Sequence, residues 1–170
     1  MTLRPCAQLP ELLIRPIRPD DKDALVAGLG RLSDRSVYQR FLSPKPKLTA
    51  SELKYLTEVD FVDHYALVAV LARRPDVIVG VGRWVREAED PRAAEVAIVV
   101  ADDLQGRGVG TTLGRWLART AVQGDVMRFT ATMLPSNLAA HRLFAKITYQ
   151  LETTRRLGGV DELTAPLVAA

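Results

Sequence analysis

The residues able to do chemistry concentrate between positions 93 and 112, where the chain reads AAEVAIVVADDLQGRGVGTT. Glu95 stands inside an apolar, β-branched run that is expected to form a central strand, where a carboxylate meets a desolvation cost unless it is paired or used. Partial burial raises a carboxyl toward neutrality, which suits a base acting on an ammonium substrate. The alternative is structural, an ion pair with Arg83 or Arg86 on the neighbouring strand. The run then enters Gln105, Gly106, Arg107, Gly108, Val109, Gly110 and Thr111, and an amphipathic helix begins at once. Glycines let the backbone approach a ligand, and the free amides and dipole of a helix's first turn attract phosphate. A phosphate or pyrophosphate cradle is therefore expected, with a glycine turn made only for close strand–helix packing as the competing explanation.

Two common phosphate loops do not fit. A nucleotide P-loop needs Lys and then Ser or Thr after its last glycine, whereas Gly110 is followed by Thr111 and Thr112. A dinucleotide loop needs the GxGxxG order near the first strand. Here the glycines stand at 106, 108 and 110, after the fourth strand. His64 reads as a surface residue or a helix-end hydrogen bonder. Two histidines and one cysteine without ligand spacing make a metal site improbable. Trp84 and Trp116 read as core, and Asp102 and Asp103 as residues that end the strand and cap nearby amides.

These groups need elements to hold them. Leu12–Ile17 reads as a first strand, followed by a helix capped at Asp20 with Leu25, Leu29 and Leu32 at helical spacing. A helix over 33–41, the breaker SPKPK, and a Thr49/Glu52 capping box opening a third helix toward Glu58 come next. From Tyr65 the pattern changes to YALVAVLA, VIVGVGRWV and AEVAIVV, with an RRPD turn making the first two antiparallel. A helix over 108–123, a strand over 127–133, a helix over 137–147 and one or two strands from Tyr149 onward complete a mixed α/β order. One domain over 1–170 is expected.

The composition agrees. The chain has 170 residues, of which 48% are hydrophobic and 25% charged, with a net charge of +3, enough for one core-forming domain. No apolar run reaches the ~20 residues of a membrane span. The amino terminus lacks a signal-peptide apolar region, and a single thiol, Cys6, forms no internal bridge, so a cytoplasmic location is expected. Eighteen of the 23 cations are arginine, whose planar fork suits phosphate. No basic face with interleaved aromatics points to nucleic acid.

The pattern Gln105 to Gly110 after an apolar strand resembles the acetyl-CoA-binding motif of the GNAT N-acetyltransferases. The later TMLPSNLAAHRLFAKITYQ, with Asn137, Ala140, Leu143, Phe144 and Lys146, resembles that family's second CoA-contacting segment. The two motifs stand in the family's order, and the resemblance covers roughly residues 12 to 157. It implies the GNAT fold, a mixed central sheet of about six to seven strands with helices on both faces, and acetyl-CoA as cofactor. It further implies pantetheine contacts from the main chain of Ile98, Val99 and Val100, and pyrophosphate contacts from Gln105 through Gly110 with Thr111. Asn137 would reach the pantetheine arm, Arg107 and Arg142 would offset phosphate charge, and Phe144 takes the place of the family's frequent acid, a tyrosine. Members that acetylate lysines often place a glutamate as base on the strand of Glu95.

The amino-terminal third, with RLSDRSVYQRF over 31–41 and VD before the second strand, is similar to the GNAT domain of bacterial protein-lysine acetyltransferases. That implies an amine acceptor, a protein lysine such as one on an acyl-CoA synthetase. From the charge pattern and the lack of long apolar runs no nucleic-acid or membrane partner is expected, and the protein is expected to be a monomer or homodimer. The alternatives are a small-molecule amine acetyltransferase and a low-turnover acetyl-CoA-binding module.

Overall fold

The strands β1 (Leu12–Pro16), β2 (His64–Leu71), β3 (Arg74–Arg86), β4 (Ala93–Val100), β5 (Arg128–Met133), β6 (Glu152–Arg155) and β7 (Asp161–Pro166) join in one sheet, in the order β1-β2-β3-β4-β5-β7-β6. The computed structural model describes residues 10–45, 47–155 and 158–167; Cys6 and the amino-terminal segment read above lie outside them. Every neighbouring pair is antiparallel except β4 and β5. That one parallel pair requires a crossover, which the helix α4 (Val109–Gln123) supplies. The seven-stranded mixed sheet meets the expectation from sequence.

The helices α1 (Lys22–Leu29), α2 (Asp34–Phe41) and α3 (Ala50–Thr57) cover one face, and α4 with α5 (Leu138–Ile147) covers the other. On the α4 side, Leu113, Leu117 and Ala121 are completely buried against the sheet, and each such leucine contributes roughly 1.5–3 kcal/mol. Gly82 and Gly114 make room for that contact. A Cβ on Gly82 would stand 2.7 Å from Leu117, and one on Gly114 2.8 Å from Ile147. The opposite core joins Ile17, Leu25, Ala66, Val68, Val70 and Ile78.

Several local expectations are corrected. The N-cap position of the first helix is Asp21, not Asp20, behind a 3-10 turn over Pro19–Asp21, and its side chain makes no cap hydrogen bond to the helix. Asp21 takes two hydrogen bonds from Arg15 at 2.7 and 2.8 Å and one from the Arg18 amide, which fixes the chain entry. The β2–β3 turn falls at Ala72 and Arg73, and Arg74 to Asp76 already belong to β3. Register shifts after Ala69 and Val70 accommodate Pro75, which has no amide to give a regular ladder. Trp84 is core, its Nε1 donating to Thr120 at 3.0 Å. Trp116 is 47% exposed with Arg119 over its ring, because it lies one residue off the buried stripe. The Thr49/Glu52 capping box forms as expected, and Ser33 caps α2 by accepting from the Ser36 amide.

Candidate active site

The parallel pairing of β4 with β5 stops at Glu95, which sits beside Thr130. Beyond that point β5 pairs only with β7, while β4 continues along β3 to Val100. The two strands therefore part and leave a gap at the carboxyl end of β4. The Ala101 amide donates to Val79 at 2.8 Å, and the two-residue period of an antiparallel ladder then commits Ala97 and Val99 to β3. The main-chain groups of Val96, Ile98 and Val100 point to the β5 side. Of the three residues expected to offer main chain, Val99 thus turns its own to β3.

The loop leaving β4 is braced before it reaches the helix. Asp102 accepts from the Ser33 amide at 2.6 Å and from the Ser36 hydroxyl, so it ties the start of α2 to the end of β4 and takes up a nearby amide, as expected of an aspartate ending this strand. The Ser36 hydroxyl, then the Ser33 amide, hold its carboxyl below the usual aspartate range, against burial. Gln105 Nε2 lies within hydrogen-bond distance of the Val100 carbonyl, Asp102 Oδ1 and Ser36 Oγ, at 3.0 to 3.2 Å. Its side chain is consequently a brace, and its contribution to a ligand is its main chain. Gly106 and Gly108 adopt φ of 71° and 89° with open space where a Cβ would be, the left-handed region that glycine occupies at little cost. Gly108 is the N-cap of α4, so the first-turn amides of Val109, Gly110 and Thr111 have no partner earlier in the helix. Gly110 answers a packing need, since a Cβ there would meet Leu143 of α5 at 3.2 Å.

A cleft of about 350 Å³ runs from this loop into the gap between β4 and α5. Ile98, Val99, Val100, Gln105, Gly106, Gly108, Gly110, Thr111, Asn137 and Arg142, ten of the residues singled out from sequence, are brought together along it. Three predicted residues stand apart. Arg107 is exposed and outside the lining, Val109 is buried and offers only its amide, and Phe144 is 3% exposed in the main core. Phe144 is therefore a core side chain that does not line the cleft. Asn137 Oδ1 caps α5 by accepting from the Ala140 amide at 3.2 Å. Sequence reasoning missed Ser36, Gln39 and Arg40, which α2 brings across the chain, and did not count Lys146 as a site residue. Among the described residues three cations, Arg40, Arg142 and Lys146, and no carboxylate line the cleft, which suits a polyanionic ligand.

Glu95 lies on the opposite, α1–α3 face of β4, on the same side as Arg83 and Val85, since Ala94 and Val96 face the α4 core. It is exposed, so the burial invoked for it from sequence is not present. The structural alternative is not met either. Among the described residues Arg83 bonds His64 and the Leu56 carbonyl, and Arg86 bonds Asp63, so neither pairs with Glu95. Its charge acts instead on Arg40, which burial pushes below the usual guanidinium range and Glu95 pulls back up.

His64, expected at the surface, is 8% exposed. It is the first residue of β2, and its Nε2 accepts from Arg83 on the adjacent strand at 2.9 Å, which leaves the proton on Nδ1. Burial, then the Arg83 charge, hold the imidazole down at about 4 instead of 6.5. The unfolded chain then binds this proton more readily than the folded one, so stability falls as pH drops from 6.5 toward about 4 and levels off below. At ~1.4 kcal/mol per pH unit the loss is on the order of 3 kcal/mol. Denaturant unfolding at pH 7 and pH 4.5 is expected to show a gap between wild type and His64→Gln that changes across this window. A constant gap would mean that His64 does not titrate there.

Residues 11–150 match the acetyltransferase (GNAT) domain family. The chain is 37% identical over 134 residues to the acetyltransferase Pat of Mycolicibacterium smegmatis, covering 79% of this chain and 40% of that protein. It therefore spans about two fifths of the length of that relative. The GNAT domain of S. lividans PAT superposes with a TM-score of 0.82 at 33% identity, over 91% of this chain and 89% of that one. YncA of Salmonella typhimurium, solved with acetyl-CoA, shares the fold at a TM-score of 0.72 and 16% identity, over 94% and 95% of the two chains. A sheet split beside Glu95, a glycine turn opening α4 and a match across most of the chain lead to one conclusion: this chain belongs to the GNAT family of acetyltransferases.

Proposed function

We propose that this protein transfers an acetyl group from acetyl-CoA to a lysine ε-amine on a protein. The observation that carries the proposal is the parting of β4 from β5 at Glu95, which opens a cation-lined cleft on one side of β4 while the carboxylate stands exposed on the other. The Ile98 main chain and the Val100 amide would pair with the pantetheine arm, the Val100 carbonyl being taken by Gln105. The Gly106, Gly108, Val109, Gly110 and Thr111 amides would hold the pyrophosphate, with Arg142 and Lys146 offsetting its charge. The bound cofactor supplies the activated thioester. A lysine at neutral pH is almost wholly protonated, its ordinary pKa being ~10.4, so its ammonium must lose a proton before attack. Glu95 takes that proton, directly or through water. No side chain is assigned as acid to the departing thiol, whose ordinary pKa of ~8.5 allows it to leave as thiolate.

The protein acceptor is favoured by the exposure of Glu95, which no closed pocket hides from a polypeptide, and by the amino-terminal likeness to lysine acetyltransferases. Incubation with acetyl-CoA and a lysate of the host is expected to yield acetyl-lysine bands that need both enzyme and cofactor. Robust acetylation of a small amine with no protein band above background would sink the protein-lysine reading.

A further inference from the structure

Behind the cleft, on the α1–α3 face, lies a second cavity of about 70 Å³ whose lining is apolar except at one end, where Arg40 and Arg83 enter it. Arg40, Val99 and Val100 line this cavity and the cleft alike, so the two spaces meet at Arg40. Arg83 is only 5% exposed. Its donors go to the neutral imidazole of His64 at 2.9 Å and to the Leu56 carbonyl at 3.3 Å, which satisfy geometry but bring no compensating charge. Among the described residues no carboxylate forms an ion pair with Arg83 or Arg40. A buried guanidinium without a counter-ion is costly: burial, then the charge of the half-buried Arg40, push Arg83 down to about 10, and the nearby charge that favours Arg40 is that of Glu95.

We propose that this cavity is a carboxylate subsite, in which Arg83 and Arg40 receive the carboxylate of a substrate carried on a short hydrocarbon stem. The planar fork of arginine matches a carboxylate's two oxygens, and Leu25, Leu29, Ile78 and Val81 offer the stem an apolar wall. The volume is that of roughly two waters at ~30 Å³ each, room for a carboxylate with one or two methylenes. The proposal rests on the reading that the thioester lies along β4. The carboxylate then belongs either to a dicarboxylic acyl group on the cofactor or to an amino acid acting as acceptor.

Titration calorimetry with the full chain separates these sources. Succinyl-CoA is compared with butyryl-CoA, which has the same chain length and no charge, and methionine is compared with methioninamide in the presence of CoA. One pair is expected to favour its carboxylate member by at least ~10-fold, and Arg83→Gln and Arg40→Gln should each bring the ratio close to one. A preference in the first pair assigns the subsite to the acyl group, and in the second to the acceptor. Arg40→Gln, on a partly exposed helix, carries the test if Arg83→Gln does not fold. Equal binding within both pairs, or a preference that survives both substitutions, overturns the subsite. Failure of acetyl-CoA itself to bind would instead remove the cofactor reading, and the amino-acid pair would still decide whether the arginines take a carboxylate.

Discussion

Glu95→Gln is expected to lower turnover on the true acceptor by roughly 10²–10⁴-fold while acetyl-CoA affinity stays near that of the wild type. Glutamine keeps the shape and removes the basicity. Glu95 is exposed and outside the described ion pairs, so the substitution breaks no buried pair and fold stability should hold. The residue stands at the last β4–β5 bridge, where the thioester and the amine would meet. Initial rates of CoA release and a separate binding titration distinguish the two effects. Unchanged turnover would make the carboxylate a bystander and favour an acetyl-CoA-binding module with little chemistry.

Gly110→Asp is expected to weaken acetyl-CoA binding by about 30- to 1000-fold, or roughly 2–4 kcal/mol. Two causes act together. The new Cβ would meet Leu143 at 3.2 Å, pressing α5 away from the cleft, and the carboxylate would stand where the cofactor's phosphates are proposed to bind. Gly108→Ala is the useful contrast. Its Cβ would meet nothing within 4 Å, but φ of 89° is strained for any side chain, so its cost of roughly 1–2 kcal/mol falls on folding. Thermal shifts with and without acetyl-CoA separate the two, since saturation at 100 times the dissociation constant stabilises by ~2.7 kcal/mol. Equal ligand-induced shifts for wild type and Gly110→Asp would refute the cradle.

The amino-acid sequence by itself determined the order of elements and the place of the glycine loop. Both rest on local chemistry: β-branched runs from Tyr65 to Val100, caps at Ser33 and Thr49, and glycines where φ must be positive or a helix must approach. The same local rules set the apolar stripe of Val109, Leu113, Leu117 and Ala121 that docks α4 on the sheet. Only the tertiary structure decided what those elements bring together. His64 and Arg83 are 19 residues apart and meet because β2 and β3 pair in one register. Ser36 and Asp102 are 66 apart and meet because α2 crosses the end of β4. Phe144 turns into the core and Trp116 out of it, a matter of one helical position against a neighbour that the sequence does not show. Glu95 is exposed on a strand whose composition reads as buried, because its side chain projects on the face opposite the α4 core that buries Ala94 and Val96. Burial and charge pairing are sums over distant neighbours, and a local pattern contains none of those terms.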